Sequence, residues 1–102
     1  MVVNFLKETL ETIKENGHRE DDVLWVGDGK GCVNWDEFKA KADFEYNDED
    51  DHRKIYLCLI IVGKDWWLER NNDDKCEWWE YKTLPAKPKL PTVHAWFMKL
   101  KE

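Results

Sequence analysis

Two segments, Trp66-Trp67-Leu68-Glu69-Arg70 and Glu77-Trp78-Trp79-Glu80-Tyr81-Lys82, each carry a tryptophan pair, and at every second position one parity is richer in apolar side chains than the other. A period of two places successive side chains on opposite faces of a strand, so this pattern demands a sheet with one face buried. The apolar run Ile55 to Val62 precedes them. Val62-Gly63-Lys64-Asp65 reads as a two-residue hairpin turn, and Asn71 to Cys76 reads as a second loop. The resulting three-stranded meander pairs Ile61 with Trp66 and Leu59 with Leu68. It then pairs Leu68 with Trp79, Trp66 with Tyr81 and Arg70 with Glu77. One face becomes Leu57, Leu59, Ile61, Trp66, Leu68, Trp79 and Tyr81, closed by the Arg70/Glu77 pair. A slip of one residue would turn this whole set to water, which fixes the face. The opposite face carries Cys58, Ile60, Val62, Trp67 and Trp78 among Asp65, Glu69, Glu80 and Lys82. A helix is expected over part of it, with Trp67 and Trp78 left partly open beside carboxylates.

Upstream, Leu6, Leu10 and Ile13 recur at helical spacing between a cap at Asn4 and a stop at Asn16-Gly17, which predicts a first helix. Val23 to Val26 and Cys32-Val33 form a hairpin around Gly27-Asp28-Gly29-Lys30-Gly31, whose glycines are expected to supply positive φ, with Trp25 in the core. Asn34-Trp35-Asp36-Glu37 caps a short second helix over 35–42 through Trp35, Phe38 and Ala42. Asp43 to Asp51 reads as a solvated acidic loop. Pro85 to Pro91 is stiff and extended, and an amphipathic tail follows from Val93 to Leu100. The expected fold is therefore α+β, a single domain over 1–102. It has an antiparallel sheet of about five strands, built from a hairpin and a meander, with two helices packed on it.

Composition narrows the function. Charged residues make up 37% of the 102-residue chain, but 14% aromatics with seven Trp supply a dense core, so the chain folds. A net charge of −6 argues against direct nucleic-acid binding, which needs cations on phosphates, and favours a partner with a basic surface. The apolar run Ile55 to Val62 is roughly ten residues short of a membrane span, and the N-terminus has no signal-peptide pattern, so a cytoplasmic protein is expected. Homo-oligomerisation stays open.

Catalytic and cofactor motifs are not legible. Cys32, Cys58 and Cys76 are isolated thiols with no ligand spacing, so neither disulfides nor a zinc site is expected. Gly27-x-Gly29-x-Gly31 opens no helix and lacks phosphate-loop spacing. Asp48-Glu49-Asp50-Asp51 and Asp73-Asp74 lack the ligand alternation of a calcium loop. No catalytic residue, metal ligand or cofactor is assigned, and an enzyme is not expected. The partner-binding candidates are the acidic stretch Asp48, Glu49, Asp50 and Asp51 together with Trp67, Glu69, Trp78 and Glu80. Like-signed charges speed encounter with a basic partner, and a desolvated Trp anchors it.

Asp22-Val23-Leu24-Trp25-Val26-Gly27, Ala42-Asp43-Phe44-Glu45-Tyr46, Val62 to Arg70 and Glu77 to Lys82 resemble segments of small acidic proteins. Those proteins are encoded by bacteriophages and integrated elements of Gram-positive bacteria, and the resemblance covers about residues 20–85. It brings no catalytic residues. It implies an accessory protein that binds a host protein, inhibitors of CRISPR nucleases or other defence systems being one such class. Two alternatives stand beside it. One is a small hydrolase or ligand-binding domain using Glu69 and Glu80 beside the tryptophans, and the other is a virion or assembly component.

Overall fold

The structure is a computed structural model that describes residues 2–47, 55, 58–73 and 76–86. Asn4 ends a short strand, β1 (Val2–Asn4), and caps α1 (Phe5–Glu15) by accepting the Lys7 amide at 2.9 Å. The helix closes on Gly17, whose φ of 82° lets the His18 amide reach back to the Ile13 carbonyl and the Gly17 amide to Lys14. The face of α1 that packs inward is Phe5, Thr9 and Ile13. The sequence pointed instead to Leu6, Leu10 and Ile13. Thr9 takes a core position because its hydroxyl donates to the Phe5 carbonyl and accepts the Trp79 indole N–H, so its polar atom is satisfied where it is fully buried.

After a 3₁₀ turn at Glu20–Asp22 come β2 (Trp25–Gly27) and β3 (Cys32–Val33), an antiparallel hairpin. Its glycines do not adopt positive φ; Gly17 alone does among the described residues. The loop is closed by Asp28, whose Oδ1 accepts the amides of Lys30 and Gly31. These donors hold its carboxyl below the usual range. Next comes α2 (Trp35–Ala42), capped by Asn34 accepting the Glu37 amide as the sequence predicts, with Phe38 and Ala42 buried.

The expected acidic loop over 43–51 is corrected at its start. Glu45–Asn47 is a strand, β4, pairing with β1 in a two-stranded sheet, and its central Tyr46 is buried while Glu45 and Asn47 face out. An acidic segment thus hides two inward rings at strand spacing, Phe44 and Tyr46, both packed on Phe5. Asp48 to Asp51 lie outside the described residues.

The main sheet is five-stranded and antiparallel in the order β3-β2-β5-β6-β7, with β5 (Ile60–Val62), β6 (Trp66–Asn72) and β7 (Glu77–Thr83). Hairpin and meander join where β2 pairs with β5. The face is as expected: Ile61, Trp66, Leu68 and Trp79 are buried together. The register is not. Ile61 stands opposite Leu68, Leu68 opposite Tyr81, Trp66 opposite Thr83 and Arg70 opposite Trp79. Both turns are centred one residue later than the sequence suggested, which shifts each pairing by two and preserves every side chain's face. In the first turn the Gly63 amide donates to the Trp66 carbonyl across Lys64-Asp65. Gly63 serves close approach, because a Cβ there would overlap the Trp66 indole. In the second, Asp73 donates its amide to the Cys76 carbonyl and accepts the Cys76 amide on its side chain.

Both helices lie against this inner face. Phe5 stacks on Trp79 with centroids 5.6 Å apart and meets Phe38 and Tyr46 edge-on. Val26, Ile61 and Leu68 complete a core with no exposed surface at its centre. Trp25 is corrected from core to half-buried, since the pleat turns Val26 inward and Trp25 outward opposite Val62.

Candidate functional site

Two concentrations of polar and aromatic groups flank the sheet, one on each face. On the inner side Arg70 is enclosed, its side chain without exposed surface. Its Nη1 donates to Glu8 at 3.1 Å, Nη2 to Tyr46 at 2.7 Å and to Glu77 at 2.9 Å, and Nε to Glu77 at 3.2 Å. Tyr46 in turn donates to Glu8. The rings of Phe5, Tyr46 and Trp79 surround the guanidinium at 5.1–5.4 Å from their centroids. Desolvation opposes its charge, but Glu8 and then Glu77 and Tyr46 outweigh that and raise the guanidinium further. This network ties α1, β4, β6 and β7 together. Arg70, Tyr46 and Glu77 are buried and hydrogen-bonded within it, with Glu8 at its rim, so it reads as a structural tie.

The outer side is different. Register and pleat place Trp25, Ile60, Val62, Trp67, Glu69, Trp78, Glu80 and Lys82 there. All but the exposed Lys82 are half-buried, and the apolar ones stand outside the core cluster. Across the strands run successive rungs: Trp25, Val62, Trp67 and Lys82 in one, Gly27, Ile60, Glu69 and Glu80 in the next, and Asn71 with Trp78 beyond. No helix lies over this face among the described residues; the cover expected there packs on the other side.

The expected site residues Trp67, Glu69, Trp78 and Glu80 do share this face, in a different arrangement. The shifted register sets Trp67 opposite Lys82 and Trp78 opposite Asn71, so carboxylates are not their direct neighbours across the strands. Glu69 and Glu80 instead oppose each other between the two tryptophans. The Trp67 indole donates to Glu69 Oε2 at 2.9 Å, and Lys82 Nζ lies 3.0 Å from the same oxygen. The indole first, and then Lys82, hold the Glu69 carboxyl below its ordinary range, and the bond to Glu69 in turn raises the Lys82 ammonium. Trp25 and Lys82 belong to the face but were not singled out in the sequence. A reading of Trp25 as core concealed it, and Lys82 emerges as a partner only once the register is known.

A third feature, a cleft of about 420 Å³ at the end of α1, is lined by Leu10, Ile13, Lys14, His18, Arg19, Glu20 and Asp21. His18 closes its floor, stacked on Trp66 at 4.2 Å with Nε2 2.8 Å from the Tyr81 hydroxyl. The cleft mixes cations and carboxylates, with Arg19 and Asp21 3.7 Å apart, and sets no charge or nucleophile apart for chemistry. Among the described residues no three His, Cys, Asp or Glu side chains gather as metal ligands, and no helix is long and apolar enough to cross a membrane. No protein-family model, curated protein or solved structure matches the chain at a significant level.

Proposed function

We propose that this chain is a non-enzymatic binding protein that docks a basic protein on the outer face of its five-stranded sheet. One observation carries the reading: Trp25, Ile60, Val62, Trp67 and Trp78 lie on the face turned away from the core, with carboxylates among them. Tryptophans on a non-core face have the composition of interface anchors, and their amphipathic rings tolerate both the free and the docked state. The net charge of −6 favours a basic partner by steering its approach. The resemblance to accessory proteins of phages and integrated elements gives the partner a class. A host defence nuclease presents a basic nucleic-acid channel that an acidic competitor can occupy.

The hydrolase alternative is less well supported. A general acid must hold a proton near neutral pH, whereas Glu69 is kept ionised by Trp67 and Lys82. The test is affinity capture from cells that carry the encoding gene, followed by purification of the captured protein and calorimetry with it. A stoichiometric complex with a basic protein is the expected outcome. Turnover of a small substrate by the isolated chain, with no stoichiometric protein partner, would overturn the proposal.

A further inference from the structure

We propose that the Glu69/Glu80 rung, bracketed by Trp67 and Trp78, receives an arginine side chain of the partner; this rests on the outer face being the docking surface. Glu69 and Glu80 are direct cross-strand partners, and like charges so placed repel unless a cation joins them. One cation is already present. Lys82 attracts both carboxylates, but its contact is with Glu69 Oε2, which also accepts the Trp67 indole. Glu80 makes no hydrogen bond or ion pair with any described residue. Among the described residues, two carboxylates against one ammonium leave a unit of negative charge on a half-buried, tryptophan-lined surface.

The geometry selects among cations. Trp67 and Trp78 each stand two residues along the strands from the rung, on opposite sides of it, which at strand rise is about 7 Å. A guanidinium over Glu80 can fork its N–H groups to that carboxylate and lay its plane on a neighbouring indole. An ammonium offers only a compact, strongly hydrated charge. The occupant is therefore a protein segment that projects arginine, complementary in charge to the acidic chain.

The experiment follows the indole N–H signals of the intact protein by NMR. The probes are a short acetylated, amidated peptide of alternating glycine and arginine, and its lysine counterpart. The expected result is that the arginine peptide moves the Trp67 and Trp78 indole signals and binds roughly fivefold tighter than the lysine peptide. Glu80→Gln should weaken it several-fold more than Glu11→Gln, which removes the same charge from the exposed face of α1. Suppose both peptides bind alike at the two tryptophans and Glu80→Gln behaves as Glu11→Gln does. The arginine receptor is then wrong while docking on this face survives. If the arginine peptide leaves both indole signals in place and shifts other residues, the receptor and the docking face fall together.

Discussion

The guanidinium of Arg70 meets the carboxylate of Glu77 at 2.9 Å although the two are not opposite each other: Arg70 faces Trp79, and Glu77 faces Asn72. The ion pair is diagonal, reaching over one alternation of the strand. The same guanidinium spans to Glu8 on α1 and Tyr46 on β4, so one side chain joins both sheets and a helix.

Replacing Arg70 should therefore be far more costly than replacing a surface arginine. Arg70→Met removes the forked donor to Glu77, which has almost no access to water, and takes a partner from Glu8 and Tyr46 as well. A loss of about 3–5 kcal/mol is expected in urea unfolding. Arg70→Lys should also destabilise, because an ammonium cannot reproduce the forked contacts. A loss below about 1 kcal/mol for Arg70→Met would show that the network contributes little.

Gly63→Ala tests the first turn. Its added methyl must displace the Trp66 ring, which is buried and held by His18 stacking on it. A destabilisation of roughly 1–3 kcal/mol is expected from overpacking. An unchanged melting temperature would place Trp66 away from the Gly63 backbone.

Tyr46 sets the alkaline limit. Burial, and then its bond to Glu8, push its phenol well above the ordinary value of 10.0, with Arg70 opposing. The folded-state pKa is thus raised above the unfolded one, so the contribution to stability is whole below about pH 10 and declines as pH climbs past it. In an ultraviolet titration, the Tyr46 phenol should resist ionisation until the fold is lost. Tyr46→Phe should remove that resistant signal. If Tyr46→Phe leaves the late part of the titration unchanged, Tyr46 is not enclosed as described.

The sheet was legible because its alternation is set by burial. Trp66, Leu68 and Trp79 share the inner face as their period requires, and the caps at Asn4 and Asn34 are local chemistry visible in short motifs. Register was less legible. Moving a turn by one residue keeps the face of Arg70 and Glu77 while changing what stands opposite each, and only Gly63's contact with Trp66 and Asp73's bonds to Cys76 decide between the two. Thr9 and Tyr46 were hidden for a different reason. Each is an apparently polar or acidic-neighbourhood residue whose burial depends on partners far along the chain, Trp79 for one and Arg70 for the other. Of the candidate site, Trp67, Glu69, Trp78 and Glu80 were found by parity alone. Their order across the strands followed from the register and so was not.

The most direct measurement of the central claim is the binding of Trp67→Ala and Trp78→Ala to the captured basic partner, run by calorimetry beside thermal unfolding of each variant. Truncating an anchoring tryptophan costs about 2 kcal/mol or more, so each variant should bind roughly thirty-fold more weakly. Each should also melt cooperatively as a folded domain, since these rings lie outside the core that Arg70 and Trp79 organise. Two folded variants that bind like the parent, or a variant that no longer folds, would contradict the assignment of this face.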